Sequence, residues 1–144
     1  KGNLKEMNIY MNDVALSTFS SFDTGTHPSR RSQPERFFHG FVLGLISDLR
    51  DIYEIKSNRE SGYGRYDIML IPADIHDKTH DGIVLEFKVH DADGEATLAD
   101  TAQAALRQIE DKNYDAELIN RGIPKSRIQH YGFAFEGKKV LIAQ

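Results

Sequence analysis

Three charged side chains interrupt two apolar segments of this chain of 144 residues. Glu86 and Lys88 lie in GIVLEFKV (82–89), and Asp67 lies in GRYDIMLI (64–71). Paired carboxylates bind hard divalent cations such as Mg²⁺, which polarise a phosphate and lower the pKa of a bound water. A lysine beside them would orient or deprotonate that water, or stabilise charge on the phosphate.

Alternation along a strand predicts how these side chains are arranged. In a strand over 82–90, Glu86 and Lys88 share a face, with Cβ atoms roughly 6–7 Å apart. The other face of that strand is apolar and contains Ile83, Leu85, Phe87 and Val89. In the strand over 64–71, alternation puts Tyr66, Ile68 and Leu70 on one face, and Arg65, Asp67, Met69 and Ile71 on the other.

Each of these charged groups has a simpler structural interpretation. Glu86 and Lys88 would form the solvated face of an amphipathic strand, and Asp67 would be an ion-pair partner of Arg65 or Lys88. An unpaired buried charge is costly, and aspartate is a poor strand former. If the two strands are neighbours, Asp67 and Glu86 converge near Lys88 and can hold a metal ion.

Hydrophobic periodicity and turn residues predict the elements that position this set. A strand, a long helix and another strand form a crossover, so part of the sheet is expected to be parallel. The predicted class is α/β or α+β, with a mixed sheet covered by helices. The predicted elements are helices over 4–20, from Ser32 to about 51, and over 94–122, a loop over 21–34, and strands over 52–57, 64–71, 82–90, 128–136 and 138–144.

Composition narrows the classes of function. The net charge of −4 argues against a chain that coats nucleic acid by bulk charge, although a local basic patch remains possible. There is no cysteine, which excludes disulfides and thiolate metal sites. No apolar run reaches the ~20 residues of a membrane span. From the residues we expect a soluble, cytoplasmic fragment of a longer protein, without membrane contact.

Several segments together resemble one family. An aspartate on one strand and Glu-x-Lys on the next, between a helix with a glutamate and an alanine-rich helix, resemble the PD-(D/E)XK nuclease superfamily. The finer resemblance is to the nuclease-type domain at the carboxyl end of bacterial AAA-ATPase-like proteins. The matching segments are PERFFHGFVLGL (34–45), SNRESGYGRYDIML (57–70), LEFKV (85–89), ALRQIEDKNY (105–114) and YGFAFEGKKV (131–140).

The resemblance implies the architecture of the chain. It covers about 34–144 and, more weakly, the first helix and loop over 1–33. It implies a single domain over 1–144 with a restriction-endonuclease-like core, in which a mixed central sheet is flanked by helices. It also implies an ATPase region upstream of Lys1. The implied substrate is nucleic acid, with DNA expected, and the resemblance does not decide whether the protein is an oligomer.

The resemblance also implies roles for the charged set. Asp67 and Glu86 would be ligands of Mg²⁺ or Mn²⁺, joined by the backbone carbonyl of Phe87. Lys88 would be the catalytic lysine. The proline that gives the family its name is replaced by Tyr66.

Polar residues on the helix from Ser32 and on the helix over 94–122 are further candidates for the site. Glu35 matches the helix glutamate that assists the metal site in the family, and Ser32 with Glu35 equally fits a capping box. His39, one turn further on, lines the site or is a structural histidine. Gln108 matches a polar position that orients water or phosphate, although a glutamine on an amphipathic helix is usually solvated. Gln103 is the weaker candidate, and Tyr114 is most simply a packing residue.

Basic and histidine-containing segments give weaker signals. Arg59 and Arg65 in NRESGYGR (58–65) suit contacts with a phosphate backbone, and the alternative is pairing with Glu60 or Asp67. The HDKTHD segment (76–81) resembles a metal site in composition, yet we interpret it as a polar turn. SRR (29–31) is interpreted as a solvated segment, with DNA contact as the alternative.

Three functions are consistent with these residues. The first is a metal-dependent nuclease that hydrolyses phosphodiester bonds, with DNA as the expected substrate. The second is a non-catalytic module that binds nucleic acid or protein and serves the ATPase. The third is a carboxylate-pair hydrolase such as a glycosidase, whose chemistry does not require Lys88.

Overall fold

A computed structural model describes residues 3–19 and 32–144, with side chains for residues 3–16 and 38–144. Within these residues the strands form one sheet in the order β1-β2-β3-β4-β5. The strands are β1 (Tyr53–Ser61), β2 (Gly64–Pro72), β3 (Gly82–Val89), β4 (Ile128–Glu136) and β5 (Lys139–Ala143). The helices are α1 (Leu4–Phe19), α2 (Ser32–Ile46), α3 (Leu98–Asp111) and α4 (Ala116–Asn120), with 3₁₀ turns at Ser47–Asp51 and Lys125–Arg127.

The sheet is mixed, as the sequence predicts. β1, β2 and β3 pair antiparallel, β3 and β4 pair parallel, and β4 and β5 pair antiparallel. The parallel pair is joined by the crossover through α3 and α4, which needs this length because parallel strands cannot be linked by a tight turn. The predicted α/β class with helices on the sheet is confirmed. In the described ranges, no helix is long and apolar enough to cross a bilayer.

Each face of the sheet has its own apolar core. The first core lies under α1 and α2 and includes Met11, Phe38, Val42, Ile68, Leu85, Phe87 and Phe133. The second core lies under α3 and α4 and includes Tyr66, Met69, Val84, Ile109, Tyr114 and Leu118. Since β3 contributes to both cores, Glu86 is covered by protein, while Lys88 near the end of the strand is partly exposed.

A glycine in β4 brings α3 close to the sheet. Gly132 pairs with Glu86 of β3, and a Cβ at this position would lie 2.4 Å from the carbonyl oxygen of Ala102. Any larger residue would therefore push α3 outward. The buried face of α3 contains Ala102, Ala105 and Ile109. The close packing sets how near the α3 side chains come to the charged residues of β3.

The prediction of a single helix over 94–122 is wrong. α3 begins only at Leu98, after a capping box between Thr97 and Asp100, and it ends at Asp111. The chain then turns through Asn113, whose positive φ of 52° ends the helical path, and resumes as α4. Asparagine tolerates this left-handed conformation better than most residues. The turn buries Tyr114, which a continuous helix would not do.

The prediction that the first strand ends at residue 57 is also wrong. β1 continues to Ser61, and residues 58–61, which the prediction left outside the strands, belong to the distal half of a β1–β2 hairpin. Its connection consists of Gly62 and Tyr63 alone. Gly62 has φ of +60° while Tyr63 keeps a negative φ, a combination typical of a type II′ turn.

Two asparagines of α1 cover the edge of the sheet at β5. The Asn12 amide donates to the Val140 carbonyl at 2.7 Å and accepts from the Val140 N–H at 2.9 Å. One turn earlier, Asn8 makes the same pair of bonds with Ile142, at 3.0 and 2.7 Å. The side-chain amides thus replace a neighbouring strand. Unpaired edge groups otherwise invite pairing with another chain.

We expect the double variant Asn8→Ala/Asn12→Ala to lose about 2–4 kcal/mol of unfolding free energy. Four backbone groups of β5 would lose their partners, each at a net cost of about 0.5–1.5 kcal/mol, partly recovered by water. Urea denaturation followed by circular dichroism measures the loss. Asp13→Ala, an exposed change on the same helix, is the control. Equal stability of the double variant and the control would show that the amides do not support β5.

Candidate active site

In the β1–β2 hairpin, the alternation of side chains between the two faces is broken at one residue pair. Its register is continuous from Tyr53–Pro72 to Ser61–Gly64 except at Asn58 and Asp67. Asn58 has a positive φ of 51°, which costs energy in a strand and needs support from its surroundings. The irregularity therefore lies opposite the one carboxylate of β2.

The side chains on either side of this pair show the change of face. Strict alternation predicts Tyr66 on the face of Ile68, but Tyr66 packs in the second core with Met69. On β1, Lys56 contacts Glu117 of α4, and Ser61, five residues later, donates to the Tyr114 carbonyl on the same side. An odd spacing on one face is possible only if the alternation is broken between the two residues. The prediction that Tyr66 shares a face with Ile68 and Leu70 is wrong for this reason.

Asp67 lies where β2 separates from β3. Pairing of β2 with β3 ends at Ile68 and Leu85. One residue beyond, the Asp67 carboxylate accepts a hydrogen bond from the Phe87 N–H at 2.8 Å. The N–H and C=O of one strand residue point to the same side. The Phe87 carbonyl therefore faces the gap that contains Asp67.

Glu86 is buried between β3 and α3, with 4% of its surface exposed. The Gln108 side-chain amide donates to its carboxylate at 2.6 Å and also to the Tyr114 hydroxyl at 3.2 Å. The solvated polar face considered as an alternative for this strand is therefore wrong at Glu86. Gln108 is likewise not a solvated surface residue, and Tyr114 is a polar neighbour of the site as well as a packing residue.

The two carboxyl groups contact each other. Burial raises the pKa of Asp67 above the ordinary value for an aspartate, and hydrogen bonds with the Phe87 N–H and with Glu86 offset this only in part. A hydrogen bond between two carboxyl groups requires a proton, which a divalent cation would replace. Burial also raises the pKa of Tyr114, which stays a neutral hydroxyl beside them.

This donor set fits a hard divalent cation. Two carboxylates and a backbone carbonyl are oxygen ligands, and Mg²⁺ is usually held by one or two carboxylates together with water and substrate phosphate. Within the described part of the chain, no group of three or more histidine, aspartate or glutamate side chains could hold a metal ion. The site is therefore suited to a cation that keeps open positions, rather than to a closed structural site.

Lys88 lies two residues after Glu86 on the same face of β3 and is partly exposed. Its backbone neighbour in β4 is Ala134. Among the described residues, Lys88 has no hydrogen bond or ion pair that would fix its ammonium group elsewhere.

A family model described as the PD-(D/E)XK nuclease superfamily matches residues 33–144. The chain belongs to the PD-(D/E)XK nuclease superfamily. Neither the curated proteins nor the solved structures contain a match. Membership confirms the resemblance to the PD-(D/E)XK superfamily and the restriction-endonuclease-like fold of this mixed sheet. It indicates a nuclease in general, and nucleases of this superfamily generally use divalent metal ions.

α2 carries two further candidates of the superfamily site. Glu35 lies on α2, but its side chain, and with it the proposed capping box, is outside the described residues. His39 Nε2 is 2.9 Å from the Ser57 hydroxyl, and its ring meets that of Phe87 edge-on at 5.6 Å. His39 thus packs on the α2 side of the sheet, in agreement with a structural histidine. Gln103 is exposed on α3, away from Glu86.

The structure describes the HDKTHD segment but not the SRR segment. In the HDKTHD segment, Asp77 accepts from Thr79 and contacts His80, and hydrogen bonds from Thr79 lower the pKa of Asp77 to about 2. Arg127 donates to the carbonyls of Asp77 and His80, at 2.7 and 2.6 Å. This network agrees with a structural turn. The SRR segment lies outside the described residues.

We expect Asp67→Asn to raise the unfolding free energy without metal by about 0.5–2 kcal/mol, as is common when a strained functional residue is neutralised. The asparagine oxygen still accepts from the Phe87 N–H, while the buried charge is removed. Because folding raises the pKa of Asp67, the wild type loses stability as the pH rises through that pKa. The asparagine variant has no such loss, so the difference in unfolding free energy between variant and wild type should shrink toward low pH.

Urea denaturation in EDTA at pH 7 and pH 4 measures this difference. The exposed aspartate Asp48, changed to asparagine, is the control. Added Mg²⁺ should stabilise wild type and not Asp67→Asn. A variant that is less stable than wild type in EDTA would contradict the view that the carboxyl pair is strained.

Glu117 attaches α4 to the strands behind the site. It accepts from Lys56 at 2.8 Å and from the Tyr66 hydroxyl at 3.1 Å, and Arg121 lies 3.5 Å away. Burial alone would raise the pKa of Glu117, but these hydrogen bonds and charges lower it below the ordinary value. The sequence gives no signal for this cluster, because its members come from three separate elements.

We expect Glu117→Gln to cost about 1–3 kcal/mol of unfolding free energy at pH 7, since Lys56 and Tyr66 lose a charged acceptor. Because folding lowers the pKa of Glu117, the ionised carboxylate stabilises the fold at pH values above its pKa in the unfolded chain. This stabilisation is lost as the pH falls through the pKa of the folded protein. The difference from wild type should therefore shrink in acid. Denaturation curves at pH 7 and pH 4 test this, with the exposed Glu60→Gln of β1 as control. A pH-independent difference would contradict it.

Proposed function

We propose that this chain hydrolyses phosphodiester bonds of DNA with Mg²⁺ or Mn²⁺ held at Asp67 and Glu86. The observation that carries the proposal is the contact of these carboxyl groups where β2 and β3 separate, with Lys88 on the face of Glu86. The Phe87 carbonyl completes the oxygen donors. A cation bound there supplies Lewis-acid polarisation of the scissile phosphate.

The residues of the chain have separate roles in this proposal. Asp67 is oriented by the Phe87 N–H and Glu86 by the Gln108 amide, so both ligands are held before substrate binds. Lys88 orients or deprotonates the attacking water, or stabilises charge on the phosphate. Glu35, on α2, assists the site directly or through water. Lys88 favours phosphodiester chemistry over glycoside hydrolysis, in which two carboxylates suffice.

We expect Asp67→Ala, Glu86→Ala and Lys88→Ala each to lower Mg²⁺-dependent cleavage of DNA at least about 100-fold without unfolding the domain. Gln108→Ala should lower metal affinity or activity about 10- to 100-fold, as partners of metal ligands do. Its control is Gln103→Ala on the exposed side of α3, with unchanged activity. Plasmid nicking and oligonucleotide cleavage, with circular dichroism for folding, measure these effects.

The same variants separate the alternatives. Equal cleavage by wild type and all three alanine variants would mean a contaminant or another site. Mn²⁺ binding that is lost in Glu86→Ala supports the nuclease. Absence of any metal binding by wild type would instead support a non-catalytic module that binds nucleic acid or protein. Association with an ATPase region stays a prediction, which a P-loop motif in the sequence upstream of Lys1 would support.

A further inference from the structure

The tip of the β1–β2 hairpin is fixed against the end of α3. The Tyr63 N–H donates to the Lys112 carbonyl at 2.8 Å. A Cβ on Gly62 would lie 2.2 Å from the Asn113 carbonyl oxygen, so the turn touches the backbone of the helix end. The Ser61 hydroxyl adds a bond to the Tyr114 carbonyl at 2.9 Å. The hairpin therefore presents its tip in one orientation.

This fixed tip exposes an aromatic ring. Tyr63 has 80% of its surface exposed, more than any other large hydrophobic residue described. Its neighbours Gly62 and Gly64 have no side chains that would shield the ring. Base stacking on an exposed aromatic ring is a main source of affinity for unpaired nucleic acid, and it is tolerant of sequence. A rigid turn loses little entropy on such binding.

Each face of the hairpin carries an exposed arginine. Arg59 borders a groove of about 480 Å³ between β1 and α4, in which Lys56 and Arg121 are already bound to Glu117. Arg65 directly precedes Tyr66, whose side chain points to α4, so alternation puts Arg65 on the opposite face.

These two arginines are available for phosphate. Among the described residues, neither Arg59 nor Arg65 forms an ion pair, so the pairing with Glu60 or Asp67 considered from the sequence is absent there. The aliphatic part of Lys112 lies against Gly64 and brings a third cation to the tip. This is a local basic surface on a chain with a net charge of −4.

We propose that the β1–β2 hairpin binds DNA at unpaired bases, with Tyr63 stacking on a base and Arg59 and Arg65 contacting phosphates on its two faces. The inference rests on the proposed nuclease function and specifies its substrate as single-stranded or forked DNA. Tyr63 lies four positions before Asp67 along the chain, roughly 13 Å at the rise of a strand, so a DNA strand held at the tip can extend to the carboxylates.

Fluorescence anisotropy of labelled oligonucleotides in EDTA tests the hairpin without cleavage. The probes are a 20-nucleotide single strand, its blunt duplex, and a fork with the same duplex part. Wild type should bind the single strand and the fork more tightly than the duplex. Tyr63→Ala should weaken binding to the first two about 10-fold or more and leave the duplex within about twofold. Tyr63→Phe should keep wild-type affinity.

One matched control and two arginine variants separate stacking from charge. Tyr10→Ala removes another exposed tyrosine, on α1, and should bind all probes as wild type does. Arg59→Ala and Arg65→Ala should weaken binding to every probe and lower the slope of log affinity against log salt by about one each.

The outcomes distinguish this inference from the nuclease proposal. If Asp67-dependent cleavage is present but Tyr63→Ala binds and cuts single-stranded DNA as wild type does, the hairpin inference alone is overturned. It is also overturned if Tyr63→Ala loses affinity equally for all three probes. If wild type neither binds nor cuts any DNA, the nuclease proposal fails, and the hairpin inference fails with it.

Discussion

The hydrogen bond from the Phe87 N–H to the Asp67 carboxylate is the interaction on which the site depends. It occupies the position where the next backbone bond between β2 and β3 would form, so the strands are still joined after their ladder has ended. A side chain of β2 is thereby held against the backbone of β3, next to Glu86. The irregularity at Asn58 makes this possible, because it turns the distal part of the ribbon onto α3 and α4.

α3 and the turn that follows it supply the hydrogen-bond partners of Glu86 that the strands do not. Gly132 lets α3 approach closely enough for Gln108 to reach Glu86, and the turn after α3 brings the Tyr114 hydroxyl to the same amide. Buried polar groups are costly unless they are hydrogen-bonded, so each added partner lowers the cost of keeping two carboxyl groups together. The charge that remains on the pair is what a divalent cation would neutralise.

The sequence predicted the parts of the site that follow from local periodicity. Alternation in a strand correctly put Glu86 and Lys88 on one face, because β3 is regular throughout. It failed for Tyr66, since a single left-handed residue on the paired strand changed the face of its neighbour. The family resemblance offered Gln108 as a candidate but not its partner, because the distance between α3 and β3 is set by Gly132 on a third element. Asn8 and Asn12 were missed because polar residues on a helix are usually solvated, and only the fold brings β5 beside them.

The cover that α1 gives to β5 has a consequence for assembly. With the amides of Asn8 and Asn12 bound to its outer edge, β5 has no backbone groups at Val140 and Ile142 to offer to a strand from another molecule. Two copies of this domain cannot join their sheets through β5 into one continuous sheet. Pairing between the sheets of two copies would instead have to use β1, at the opposite end of the sheet.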